Sequence, residues 1–271
     1  MSSAAPHRAV LTVRGDIRRE RRDRLAGEEP MEIRVAPMAG EPRSVAITMR
    51  TPGHDFELAV GFLVTEGVID PGGVRRVAYC DEVEGDQLYN VVTVRTDGAI
   101  TLGESRLTPS TSACGICGKA SLDEVEVRCA PLAAGPWIAR ETLLALPDRL
   151  REAQRVFDAT GGLHAAGLFD TEGLLLTVRE DVGRHNAVDK VVGAAALAGE
   201  LPPADRVLMV SGRAGFEIVQ KAAVAGIPVL AAVSAPSSLA VEAAERFGMT
   251  LIGFLRGDGF NLYTGRDRIL V

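Results

Sequence analysis

Between Met31 and Ile100 the chain alternates apolar and polar residues over short runs, such as Val45-Ile47-Met49 and Val91-Thr93, the period of strands. Phe56 to Glu66 (FELAVGFLVTE) changes that period. Leu58, Phe62 and Leu63 fall at i, i+4 and i+5, one face of a helix, and Gly67 is placed to stop it. Together these runs predict an α+β region. Residues 108–121 (TPSTSACGICGKAS) are almost all small or polar and predict a loop. Residues 131–138 hold two prolines and Gly135 with little periodicity, which marks a domain boundary there.

The second half has a steadier rhythm. Val207 to Val210 is a short apolar run ending at Ser211-Gly212-Arg213, and a helical pattern follows from Phe216 to Ala225, closed by Gly226. Pro228 to Val233 is a second run, ending at Ser234-Ala235-Pro236-Ser237-Ser238. A second helical pattern, Leu239 to Phe247, closes at Gly248, and Thr250 to Phe254 is a third run. This is β-α-β-α-β, whose crossovers require parallel strands covered on both faces. The expected organisation is an N-terminal segment over 1–30, an α+β domain over 31–135 and an α/β domain over 136–271.

Composition narrows the function classes. The chain of 271 residues is 46% hydrophobic and 24% charged, the balance of a globular protein able to bury a large core. Its net charge of −6 argues against a main role on a phosphate backbone, and its 4% aromatic content against stacking platforms for single strands. No run of 18 apolar residues occurs. Four cysteines, Cys80, Cys114, Cys117 and Cys129, are too few for a secreted disulfide scaffold of this size, so the expectation is a soluble, cytoplasmic protein. Residues 14–24 (RGDIRRERRDR) carry paired arginines, but LAGEEP follows where a signal sequence needs an apolar stretch. Interleaved Asp16, Glu20 and Asp23 make this a solvated, partly ordered segment.

Ligands of open α/β sheets bind outside the carboxyl ends of the strands. Ser211 to Arg213, Ser234 to Ser238 and Leu255 to Gly259 fall there. The first two open helices, whose N-terminal N–H groups suit phosphate, and Arg213 and Arg256 offer guanidinium forks. The plainer reading makes the serines helix caps and the glycines turn formers. Three such segments converging favour an anionic, nucleotide-like ligand.

Cys114-Gly115-Ile116-Cys117 admits three readings. Zinc needs two further ligands, nominally Cys80 and Cys129, but there is no second CxxC and no histidine beside either, so no metal is expected. A thioredoxin-like CxxC opens a helix after a strand, whereas this one sits among serines and threonines. A persulfide-carrying cysteine suits the loop best, with glycines for access and Lys119 to favour thiolate. Gly161-Gly162-Leu163-His164 and the stretch from Glu180 to Lys190 form a further cluster. Asp181 is placed to cap a helix carrying His185 and Asp189 at i, i+4, either an acid–base pair or a satisfied hydrogen-bonded one. His7 and His54 stand isolated and read as surface residues.

The stretches MRTPGHDFELAVGFLVTEG, SACGICGK, GGLHAA, EDVGRHNAVDKVVG, SGRAGFEIVQKAA, SAPSSLAVEAA and GFLRGDGFNLY resemble the FdhD family of formate dehydrogenase accessory sulfurtransferases. They run in the family's order from about Thr48 to Tyr263, about four-fifths of the chain. The resemblance implies an α/β protein whose C-terminal domain is a three-layer, cytidine-deaminase-like unit beside a smaller N-terminal α+β domain. Deaminases use H-x-E followed by P-C-x-x-C, which this chain lacks, so the fold is expected without that zinc chemistry. The resemblance further implies sulfur accepted as a persulfide from a cysteine desulfurase and passed to the Mo-bis(molybdopterin guanine dinucleotide) cofactor of a formate dehydrogenase. Cys114 is the implied persulfide carrier, with Cys117 assisting. The implied cofactor-binding stretch is Phe254, Leu255, Arg256, Gly257, Asp258 and Gly259, beside Ser211, Gly212, Arg213, Ser234, Ser237 and Ser238. A homodimer is expected, since that cofactor presents two guanine dinucleotides to a two-fold assembly.

Overall fold

The computed structural model describes residues 3–80, 89–102, 132, 135, 137–201 and 203–270. Cys114, Cys117 and Cys129, and the loop expected over 108–121, lie outside the described residues.

The arginine-rich start is a hairpin. Strands β1 (His7–Arg14) and β2 (Ile17–Arg24) pair antiparallel from His7–Arg24 to Arg14–Ile17. Gly15 sits in the turn at φ 57°, the left-handed region a two-residue hairpin loop requires. The mixed charges predict solvation, and both strands are exposed along nearly their whole length. They do not reveal the backbone pairing.

Four strands follow: β3 (Glu29–Pro37), β4 (Arg43–Arg50), β5 (Val74–Tyr79) and β6 (Val91–Thr96), with helix α1 (Asp55–Thr65) between β4 and β5. They form one sheet in the order β4-β3-β6-β5, with β3 and β6 parallel. Met31, Ile33 and Val35 of β3 and Val92 and Val94 of β6 are fully buried under α1, the expected alternation. β4 departs from it. A register shift between Ile33 and Arg34 puts an extra residue, Val45, into β4, so Val45 and Ala46 are both buried. Beyond that bulge the faces exchange, and Ile47 and Met49 point outward although Val45 points in.

The second half begins with β7 (Ile138–Ala139), helices α2 (Arg140–Ala153) and α3 (Arg155–Thr160), strands β8 (His164–Phe169) and β9 (Leu175–Asp181), and helix α4 (Arg184–Ala198). The predicted alternation then appears as β10 (Val207–Val210), α5 (Phe216–Val224), β11 (Val229–Ala232), α6 (Ser238–Arg246) and β12 (Thr250–Arg256), with β13 (Gly259–Thr264) and β14 (Ile269–Leu270) completing the chain. The six-stranded sheet runs β13-β12-β11-β10-β8-β9. β10, β11 and β12 are parallel as expected, while β8 and β13 run against them at either side. The sheet is therefore mixed.

Helices cover both faces. Leu208, Val210, Leu230, Ala232 and Leu251 face α4, α5 and α6, while Val207, Met209, Val229, Ala231 and Ile252 face Leu143, Leu146 and Leu150 of α2. The first of these cores is continuous with the N-terminal sheet, because α1 lies directly against α4. Buried polar ties reinforce the junction. Asp181, fully buried, accepts from the Thr51 N–H at 3.1 Å and lies 2.7 Å from Lys190 Nζ. Lys221 Nζ donates to Asp189 at 3.0 Å and to Glu66 at 3.1 Å. Burial works against the Lys221 charge, but these two carboxylates raise its pKa and keep it charged.

Candidate functional site

The three segments expected at the carboxyl edge of the sheet are stitched side by side. Ser211, just past β10, donates its N–H to the Ala165 carbonyl and accepts the Ala165 N–H on Oγ, both at 2.9 Å. Gly212 accepts from the Ser234 N–H at 3.4 Å, and the Ser234 carbonyl accepts from the Phe254 N–H at 3.1 Å. Ser237 donates to the Ala214 carbonyl at 3.1 Å, and its Oγ accepts the Ala240 N–H at 3.2 Å, capping α6. Arg213 and Ser238 are exposed at the same edge.

Phe254 stands in the left-handed region at φ 53°, a strained conformation for an aromatic residue. It lies in an irregular stretch of the β12–β13 pairing, between Gly253 and Arg256, after which Arg256 pairs with Gly259. A Cβ on Gly253 would stand 2.8 Å from the Pro236 ring, so only glycine lets these segments approach so closely. Arg256, Gly257, Asp258 and Gly259 form the exposed turn, with Gly257 at φ 60°. The Arg256 guanidinium stands 5.8 Å from the Phe254 ring centroid, and Arg140 of α2 donates to the Asp258 carbonyl at 3.1 Å. Leu255 is fully buried in the core against α2 and faces away from this surface.

Beside this edge a cleft of about 590 Å³ opens between the α2–α3 wall and the ends of β10 and β11. Leu150, Phe157, Leu163 and Val233 give it apolar sides, and Arg151, Gln154, His164 and Ser211 give it polar groups. Gln154, at the junction of α2 and α3, is only 4% exposed. Burial lowers the pKa of His164, the neighbouring Arg184 charge lowers it further, and Asp181 opposes both. His164 is therefore neutral near pH 7 and offers one donor and one acceptor. Gly212 backs it closely: a Cβ there would lie 3.4 Å from His164 Nδ1. The cleft thus pairs apolar sides with hydrogen-bonding groups, while Arg213 and Arg256 are exposed along the sheet edge.

The FdhD/NarQ family model matches residues 26–270. The chain belongs to the FdhD/NarQ family. A sulfur carrier protein FdhD from Streptomyces avermitilis is 52% identical over 282 aligned residues, spanning 99% of this chain and 97% of its own. The protein of that name from Mycobacterium tuberculosis strain H37Rv is 51% identical over 280 residues, spanning 99% and 100%. A crystal structure of a chain described as a formate dehydrogenase accessory protein, from Desulfotalea psychrophila, superposes with a TM-score of 0.78 at 25% identity, covering 99% of this chain and all of that one.

Against that FdhD/NarQ background, the His185–Asp189 pair is not a dyad. Asp189 is taken up by Thr65 Oγ1 at 2.7 Å and by Lys221, while His185 Nε2 lies 3.8 Å from Glu217. Asp181 serves both ends: its Oδ2 lies by Lys190, and its Oδ1 accepts from the Gly183 N–H and from Asn186 Nδ2, both at 2.9 Å, at the start of the helix, whose N-cap is Gly183. Cys80 is half-buried, with Arg34 donating toward its Sγ at 3.9 Å. His54 and His7 are exposed, His54 Nδ1 lying 3.2 Å from Glu57 and His7 accepting from Arg24 at 3.2 Å. Sequence reasoning missed Gln154, Arg151 and Phe157 as cleft wall. Gly161 and Gly162, before His164, line the same cleft but mark its loop and not its helical wall. Among the described residues no helix is long and apolar enough to cross a membrane, and no three His, Cys, Asp or Glu side chains cluster to hold a metal ion.

Proposed function

We propose that this protein is a cytoplasmic sulfur carrier that loads a molybdenum cofactor for a formate dehydrogenase. Membership of the FdhD/NarQ family carries the reading, supported by half-identical relatives that bear the sulfur carrier name. Cys114 attacks the outer sulfur of a persulfide on a cysteine desulfurase. The S–S bond to Cys114 forms as the donor's breaks, and the donor leaves as a thiolate, with no net change of oxidation state. Delivering that sulfur as sulfide takes up two electrons, and Cys117 supplies them by closing a disulfide with Cys114. The cargo is Mo-bis(molybdopterin guanine dinucleotide), a guanine nucleotide lying along the carboxyl edge from Ser211 and Ser234 to the Phe254–Gly259 turn.

The scaffold reads as a cytidine-deaminase-like unit over 136–271 joined to an α+β unit over 31–135. The order β9-β8-β10-β11-β12, with β8 reversed and helices on both faces, supports this reading. A two-fold homodimer presents one nucleotide edge from each subunit to a cofactor that carries two guanine dinucleotides. Native mass spectrometry after incubation with a desulfurase and cysteine tests the sulfur step. A gain of one sulfur atom mapped to Cys114 is expected; an unchanged mass overturns the reading, as does stoichiometric zinc on the CxxC.

A further inference from the structure

Both strands of the β1–β2 hairpin are exposed along nearly their whole length, yet the hairpin has side chains that belong in an interface. Leu11, Val13 and Ile17 are 57%, 58% and 71% exposed. Seven arginines against Asp16, Glu20 and Asp23 give residues 7–24 a net charge of +4, so the rest of a chain of net charge −6 carries −10. The register puts Ile17 on one face with Arg8, Arg14, Arg19 and Arg21, and Leu11 and Val13 on the other. Ala9, Leu11 and Val13 stand opposite Arg22, Glu20 and Arg18, so an apolar strip lies beside a row dominated by guanidinium groups. Apolar area bordered by arginine is the composition of an interface core and its rim.

The hairpin is tied to the rest of the chain at its base, and β2 also approaches α3. Leu25 donates to the Pro6 carbonyl at 2.9 Å and Gly27 to the Ala4 carbonyl at 2.8 Å, and Ala26 lies against Gly162 at the cleft. Beyond that base, eight paired positions extend for about 25 Å. A two-stranded hairpin of that kind is marginal in water without a surface to cover it. The family pattern begins at residue 26, while the alignment to the Streptomyces relative spans 99% of the chain and so takes in the hairpin.

We propose that the hairpin is an exchange arm that docks on the acidic body of a second copy of this chain. Arm-to-arm pairing would bring two +4 surfaces together and is disfavoured. Arm on body instead joins +4 to −10, and a two-fold axis lets each copy give one arm and receive one. A nucleic acid meets the same −10 body and is repelled by it. The inference rests on the homodimer proposed above and names the surface that makes it.

The test uses the full chain in sedimentation velocity at low and high salt, with Arg18→Glu/Arg22→Glu and the charge-preserving Arg18→Lys/Arg22→Lys. A dimer is expected that loosens in high salt, weakens by about tenfold or more in the glutamate variant and survives in the lysine variant. A photo-crosslinker at Leu11, in a mixture of light and isotope-labelled chains, should give mixed-mass products joined to peptides beyond residue 30. A monomer at every salt concentration overturns both the arm and the homodimer. A dimer indifferent to the charge reversal, or crosslinks confined to one chain or to arm-on-arm, overturns the arm alone. Persulfide loading of Cys114, measured on the same samples, reports on the sulfur reading independently.

Discussion

Gly61 of α1 and Gly193 of α4 lie back to back. A Cβ on Gly61 would stand 2.6 Å from the Asp189 carbonyl carbon, and one on Gly193 would stand 2.6 Å from that of Glu57. The two helices therefore touch through their backbones, and this crossing joins the N-terminal sheet to the six-stranded one. The obstacles are main-chain atoms that no rotamer change can move aside. Gly61→Ala and Gly193→Ala should each destabilise the fold by about 2–4 kcal/mol. Chemical denaturation measures this directly, and a variant within experimental error of the parent would mean the helices part without penalty.

The buried pair of Asp181 and Lys190 makes the second prediction. Lys190 is 1% exposed, with the Thr51 carbonyl at 2.9 Å and the Glu180 carbonyl at 3.5 Å as its other acceptors. Asp181→Asn keeps the shape but leaves the ammonium buried without its counter-charge, a loss of about 3–5 kcal/mol. Lys190→Met together with Asp181→Asn should recover part of that loss, because no uncompensated charge remains. A double variant less stable than Asp181→Asn alone would contradict this account.

Acid should weaken the junction through Glu57. Burial works against its charge, but the Arg179 guanidinium of β9, at 2.7 Å, and His54 hold its pKa down at about 2 against an ordinary 4.5. A depressed carboxyl gives stability that is complete above the unfolded value and is lost as pH falls through the folded one. The window runs from pH 4.5 down to 2, and about 2 kcal/mol is at stake. Glu57→Gln removes this component, so its stability should change less than the parent's between pH 5 and pH 2.5. Parallel slopes for the two proteins would assign the acid sensitivity elsewhere.

These residues mark where the sequence is informative and where it is silent. The alternation from β10 to β12 is readable because each strand is a short apolar run and each helix stops at a glycine, Gly226 or Gly248, whose positive φ ends it. The reversed strands β8 and β13 are not readable, since strand direction depends on partners distant in the chain. The outward turn of Ile47 and Met49 follows from one inserted residue, which an alternation count cannot detect. The three carboxyl-edge segments were foreseeable because topology alone brings them together. Gln154 and Phe157 were not, because nothing in a helical sequence tells a cleft wall from a solvated face.

Cys114→Ala should fold as the parent does yet fail to mature the client enzyme, since a relay needs the sulfur atom itself. Cys117→Ala should still accept one sulfur on Cys114 but release it as sulfide only when an external thiol supplies the electrons. Formate dehydrogenase activity in a strain carrying each variant, with the mass of the purified carrier, gives both answers. Full activity with Cys114→Ala would remove that cysteine from the relay.

The nucleotide edge gives the most discriminating prediction. The phosphate-binding groups proposed for it are Arg213, Arg256 and the N–H groups that open α5 and α6, and its strained residue, Phe254, is one a purely structural turn has no need to keep. Losing one charge-assisted phosphate contact is worth about 1.5–3 kcal/mol, so Arg256→Ala should weaken GDP roughly ten- to a hundredfold. The base should be read separately. Asp258 is exposed on the turn with a carboxylate free to accept from guanine N1 and N2, while Gln154 and neutral His164 offer paired donors and acceptors inside the cleft. Asp258→Asn and Gln154→Leu therefore distinguish two places for the base: the variant that erases the preference for GDP over ADP marks where guanine lies. Calorimetry with both nucleotides on the parent and three variants carries the test. Equal affinity of the parent for GDP and ADP would withdraw guanine recognition, and an unchanged GDP affinity in Arg256→Ala would withdraw Arg256 from the site, while sulfur loading on Cys114 should stay intact throughout.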